Sequence, residues 1–333
     1  MPSASSDVDY EVRGKQISYF TIDGMSERLG AALQIPLAVI KNGSGRTLYL
    51  NGGTHGDEVE GPIVLNEICR TLNAEDISGR LIITPMLNLP AVLVGTRLSP
   101  IDGLDLNRSF PGRADGSATM AIADYVCREI LPRADAVLDL HAGGLNLSVV
   151  PSVMMHPLAD RDLMTRTFDA VRAFAAPASV VAEEADREAM LDSVVERSGK
   201  VFICAELGGG GGVTPETLEI ARTGVRNLLK HFDMISGDFV PSTWQGRQHD
   251  WILEVPDEDW YVHAARTGLY EPIATLAQKM EAGDVVGRLH PMTSGDGEPV
   301  SVIAPRRGFL YCQRVSGLAN AGDVTAIVAR PLR

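Results

Sequence analysis

The chain has 333 residues, 45% hydrophobic and 22% charged, a balance typical of folded globular proteins and a length that suggests two domains rather than one. Its formal net charge of −13 argues against a nucleic-acid partner, because phosphate binding relies on clustered Lys and Arg, and no window approaches the roughly 20 apolar residues of a membrane span. Cys69, Cys127, Cys204 and Cys312 form no C-x-x-C pair, and the N-terminus lacks the basic start and apolar stretch of a signal peptide, so a reduced, cytoplasmic chain is expected.

From about residue 30 to 235, short apolar runs alternate with segments of helical period, the pattern of an α/β domain with a largely parallel sheet. Strands are predicted at Thr47 to Asn51, Arg80 to Met86, Ala136 to Leu140 and Val201 to Ala205. Helices are predicted at Pro62 to Leu72, with proline first, at Ala118 to Leu131, at Asp160 to Phe174 and from Pro215 to about Phe232, where Thr214 is a good N-cap. A polar or glycine-rich segment begins where each strand stops, at 52 to 58, 87 to 113, 141 to 146 and 206 to 212. In a parallel sheet those ends share one edge, where open α/β folds bind ligands.

The first such loop, "NGGTHGDEVEGP", carries His55 and Glu58, an H-x-x-E pair able to present an imidazole nitrogen and a carboxylate to one cation, although such pairs often arise by chance. His141 raises the odds. It ends the strand "AVLDLH" at the same predicted edge, and glycines follow it. Two histidines and one carboxylate, with a position left for water, make up a catalytic zinc set, and zinc lowers the pKa of water from ~15.7 toward ~7. Glu206 ends "VFICAEL" ahead of Gly208 to Gly212; it reads equally as the proton-accepting carboxylate or as an ordinary acid before a mobile linker. The loop "GTRLSPIDGLDLNRSFPG" places Arg97, Asn107 and Arg108 together in an otherwise acidic chain. A guanidinium with a neighbouring amide suits a free carboxylate, and the other arginine suits an oxyanion.

After about residue 242 the helical period gives way to short strands and glycine turns, and "AGDV" recurs at 282 to 285 and 321 to 324. That spacing suggests two similar β-halves in one small barrel or sandwich, of the biotinyl/lipoyl half-barrel kind, without the lysine of a carrier. The chain is therefore divided into a catalytic domain, 1–241, and a β appendage, 242–333, read as structural or gating.

In combination, "GGTHGDEVEGP", "DLNRSFPG", "DLHAGG" and "AELGGG" resemble the succinylglutamate desuccinylase/aspartoacylase family, within the zinc carboxypeptidase-like superfamily, over roughly residues 35 to 235 and into the β tail. The resemblance implies His55, Glu58 and His141 as ligands of one Zn²⁺ per chain and Glu206 as general acid/base. It likewise implies Arg97 as the carbonyl-polarising arginine, Asn107 and Arg108 as the carboxylate grip, and Asp105 as an orienting residue. The implied reaction is hydrolysis of a small N-acyl amino acid. Within the family, "SPIDGLDLNRSFPG" and "GKVFICAELGGGG" are most like the bacterial branch that deacetylates N-α-acetyl-2,4-diaminobutyrate in ectoine breakdown, though Ala142 stands where serine is expected and Asp105 where glycine is common. A cationic side chain on the substrate would suit "EEADRE", residues 183 to 188, which also reads as a solvated charge cluster. A homo-oligomer is expected, and the alternative activity is a carboxypeptidase-type peptidase with the same metal and base.

Overall fold

A computed structural model describes residues 4–23, 32–183, 188–293 and 297–332. Three N-terminal strands, β1 (Ala4–Ser6), β2 (Gly14–Ile22) and β3 (Leu33–Asn42), form an antiparallel edge. Then follow β4 (Thr47–Gly52), β5 (Gly79–Thr84), β6 (Ala136–His141), β7 (Leu147–Val149), β8 (Ser152–Met155), β9 (Ala178–Ala182) and β10 (Val201–Glu206). The sheet runs in the order β1-β2-β3-β5-β4-β6-β10-β8-β9. Its centre, β5-β4-β6-β10, is parallel; β3 and β8 join it antiparallel, so the sheet is mixed rather than uniformly parallel.

Alternation along the central strands sorts their side chains into two cores. Leu48, Leu50, Leu138 and Leu140 pack with Val64 and Leu65 of helix α1 (Glu60–Thr71). On the opposite face Tyr49, Ile82 and Val137 meet Ala121, Ile122 and Tyr125. These three belong to the helix Ala118–Tyr125, and Leu191 and Val195 of the helix Leu191–Arg197 join the same core. The first face also takes Ala170 and Phe174 of the helix Arg161–Phe174 and Ile220 of the helix Pro215–His231. Helices thus cover both faces, as a sheet buried on both sides requires.

The helix predicted from Pro62 starts at Glu60, which makes Pro62 its third residue; a proline there forfeits no helical bond because the first-turn N–H groups lack partners anyway. The helix predicted over Ala118 to Leu131 keeps α geometry to Tyr125, then passes through a π turn at Val126–Ile130 into a 3-10 turn at Leu131–Arg133 that contains Pro132. Thr214 caps the last large helix, accepting from the Thr217 N–H.

Past residue 242, the strand Trp251–Val255 pairs parallel with β9 and so continues the central sheet; Val324–Pro331 and Gly308–Arg314 follow it outward. A small separate all-β sheet is built from Gly268–Pro272, Val285–His290, Val300–Ile303 and Leu318–Ala319. The two AGDV copies form the same turn. Asp284 accepts the N–H of Glu281 at 2.8 Å and Asp323 that of Asn320 at 2.9 Å, and each turn leads into a strand. No helix among the described residues is long and apolar enough to cross a membrane.

Candidate metal centre and substrate cavity

Register places the site. Gly52 lies opposite Leu140 and Glu206 opposite His141, so β4, β6 and β10 end level and their following loops meet at one edge. His55 sits in the loop after β4, held down by Gly56, whose N–H bonds to Thr96 O at 2.9 Å. A side chain at residue 56 would start 2.0 Å from the backbone carbon of Ala91, so only glycine lets the loop approach that closely.

His55, Glu58 and His141 are each no more than 5% exposed, and one ligand atom from each falls within 4.8 Å of the others. His55 Nδ1 is 2.9 Å from Glu58 Oε1 and His141 Nδ1 is 2.8 Å from Oε2, so one carboxylate bridges both rings. The far nitrogen of each ring meets a second acid: Asp139 Oδ2 lies 3.0 Å from His141 Nε2, and Asp105 Oδ1 lies 3.2 Å from His55 Nε2. Burial works against charge on His55, Glu58, Asp105 and His141. The mutual pairing overrides it, holding Glu58 and Asp105 below the usual carboxylate range and raising both histidines. Two inward imidazole nitrogens with carboxylates behind them, converging with a third donor, suit a divalent ion of zinc's preferences.

A buried polar chain underlies the site, and sequence reasoning did not find it. Asp139 accepts from Asn51 Nδ2 at 2.8 Å and from Thr54 Oγ1 at 3.3 Å; Asn51 accepts in turn from Thr84 Oγ1 at 2.7 Å, and Thr84 meets Tyr49 Oη at 2.7 Å. The available signal was the presence of Asn51, Thr84 and Asp139, fully buried polar residues in otherwise apolar strands.

Arg97 enters from the loop after β5. Its Nε donates to Asp105 Oδ2 at 3.0 Å and its Nη1 lies 3.7 Å from Glu58 Oε1, which brings it to the edge of the triad. Asn107 is buried, with its oxygen accepting from the Leu191 N–H at 3.2 Å, whereas Arg108 is exposed and bonded to Asn107 O. Gly208 to Gly211 are not a loose linker. Gly143 and Val149 donate to Gly208 O, Gly210 donates to Leu147 O and Gly211 to Gly144 O, which locks the segment against the loop after β6.

All the predicted residues except Asp105, which stands behind His55, line one cavity of about 570 Å³, a size suited to a small molecule. The β tail supplies part of its wall through Glu258, Tyr261, His263, Tyr311 and Arg314. Tyr311 Oη is 2.8 Å from Ser152 Oγ, and Ser152 is the register partner of Glu206. The acidic run at 183 to 188 has residues 184 to 187 outside the described ones.

Comparison with known proteins shows what the chain is similar to. Residues 44–232 match the succinylglutamate desuccinylase/aspartoacylase catalytic domain family. The N-alpha-acetyl-L-2,4-diaminobutyric acid deacetylase of Halomonas elongata is 42% identical over 327 residues, 98% of this chain and 94% of that protein. Among solved structures, the product-bound ectoine utilization protein EutE of Ruegeria pomeroyi superposes with a TM-score of 0.94 at 38% identity, over 99% of each chain. A succinylglutamate desuccinylase/aspartoacylase structure from Rhodobacter sphaeroides gives 0.94 at 36% identity, again over 99% of each.

Proposed function

For a chain that belongs to the succinylglutamate desuccinylase/aspartoacylase family, we propose a zinc-dependent amidohydrolase that removes the acetyl group from N-α-acetyl-L-2,4-diaminobutyrate or a close N-acyl amino acid. The observation that carries the reading is the convergence of His55, Glu58 and His141 on one point, with Glu206 opposite His141 in the register and Asn107 and Arg108 on the wall of the same cavity.

His55, Glu58 and His141 would hold one zinc ion per chain. When bound, the ion supplies Lewis acidity and lowers the pKa of water at neutral pH. Arg108 and the Asn107 amide bind the substrate's free carboxylate, which fixes the acyl group over the triad. Glu206 takes the proton of the attacking water as its oxygen bonds to the acyl carbon; the C–N bond breaks, and the same carboxyl passes the proton to the departing amine. Arg97, oriented by Asp105, faces the negative charge that develops on the acyl oxygen. The products are acetate and the free amino acid.

The walls contributed by the tail restrict the cavity to small substrates, which favours the deacylase over a peptidase needing an open cleft. In this reading residues 1–241 form the catalytic unit and 242–333 a β unit that completes its cavity. Four cysteines that form no disulfide suit a reducing cytoplasm, and a homo-oligomer is part of the proposal, testable by sedimentation. The direct experiment is metal analysis of the purified protein followed by a panel of N-acetyl amino acids and C-terminal dipeptides. About one zinc per chain with acetate release supports the reading; dipeptide cleavage without acetate release would replace it with the peptidase.

A further inference from the structure

The tail strand Gly308–Arg314 is fastened to the segment that follows His141, with Cys312 opposite Val149 in the register and the Val150 N–H bonded to Tyr311 O at 2.9 Å. Its phenol, on a residue 4% exposed, meets β8: Tyr311 Oη lies 2.8 Å from Oγ of Ser152, which is fully buried. Ser152 and Glu206 are direct partners across the antiparallel pair β8 and β10, so their side chains rise side by side from one face of the sheet. Tyr311 and Glu206 also line the same cavity.

Two hydroxyls carry two protons, and the bond between them uses one. Among the described residues neither hydroxyl makes another hydrogen bond, and their burial leaves water little access to the remaining proton, which costs free energy until it meets an acceptor. Glu206 offers that acceptor beside Ser152. Burial first, and then the negative charge of Glu206, push the Tyr311 phenol well above its usual range, and the same two causes raise the adjacent Cys312 thiol. The carboxylate therefore acts on the tail strand, and the phenol keeps its proton at neutral pH. Glu206 Oε1 also accepts from the Cys204 thiol at 3.9 Å, two residues back on its own strand.

We propose that Tyr311 and Ser152 are positioning residues: the pair directs its remaining proton onto one carboxylate oxygen of Glu206 and so holds the other toward the attacking water. The inference rests on the deacylase reading. It makes the β tail a supplier of catalytic geometry as well as of a wall, since the phenol comes from a tail strand. The bond counts at both proton transfers, when Glu206 takes the proton of water and when it returns it to the departing amine, because each needs the free oxygen aimed within hydrogen-bond reach.

The test is a pair of double-mutant cycles on the zinc-loaded, full-length enzyme, read as acetate release from N-α-acetyl-L-2,4-diaminobutyrate. Y311F and S152A should each lower kcat about 10-fold, with KM, zinc content and calorimetric affinity for the free amino acid within about twofold of the wild type, because neither hydroxyl touches the ligand. The S152A/Y311F double variant should be little slower than either single one, since the two hydroxyls act as a unit. E206D draws the carboxylate back by one methylene, and in that background Y311F should cost less than about twofold. A wild-type rate in either single variant, a loss carried by KM, zinc content or product affinity, losses that multiply in the double variant, or an undiminished Y311F loss in E206D would each overturn the role of the pair while leaving a deacylase standing. A zinc-loaded wild type that releases acetate from no N-acetyl amino acid would instead overturn the function from which the inference starts.

Discussion

Asp139 Oδ2 lies 3.0 Å from Nε2 of His141, two residues further along the same strand and on the same face of the sheet. The pair turns Nδ1 of His141 toward Glu58, and Asp139 is itself fixed by Asn51 and Thr54. An asparagine at 139 has one oxygen for the work of two. D139N is therefore expected to weaken zinc affinity by about 10- to 100-fold while the fold persists, read by competition with a fluorescent chelator.

Glu206 is the register partner of His141 across adjacent parallel strands, close to the triad yet no part of it. Replacing it with glutamine keeps the shape and removes the proton acceptor. E206Q should retain about one zinc per chain and lose about 10³-fold in kcat. An active variant, or one that arrives free of metal, would contradict the base assignment.

The site was legible where chemistry leaves a local mark. His55, Glu58, His141 and Glu206 each stand at or just after a strand end, and parallel strands align those ends, so three loops could be read as one site before any contact was known. The hairpin β2–β3 was harder to see. Its first strand, GKQISYFTI, alternates weakly and leaves Ile17 and Tyr19 exposed, which removes the pattern that marks a half-buried strand. The tail could be read only as a structural or gating appendage, without the residues it brings to the cavity wall. Tyr311 reaches Ser152 across 159 positions, and nothing in either local sequence encodes that pairing.

Gly56 separates a packing requirement from a chemical one. A Cβ there would start 2.0 Å from backbone atoms of Ala91, which cannot yield as a flexible side chain could. G56A is expected to cost about 1–3 kcal/mol by overpacking and, because His55 adjoins it, to weaken zinc binding as well. Gly317 has no atom within 4 Å of its hypothetical Cβ, so G317A should leave both melting temperature and zinc content within error of the wild type.

Arg108 is the exposed member of the proposed carboxylate grip. Its Nη1 bond to Asn107 O, at 3.0 Å, holds the base of the fork at the cavity wall. A charge-assisted hydrogen bond contributes about 1.5–3 kcal/mol, so R108A should lower kcat/KM for N-acetyl amino acids by about 10- to 100-fold, nearly all of it in KM. The corresponding N-acetyl amino acid amides lack the carboxylate and should lose far less. Steady-state kinetics on acid and amide pairs decides the matter, because an equal loss on both would mean that Arg108 shapes the cavity instead of binding the carboxylate.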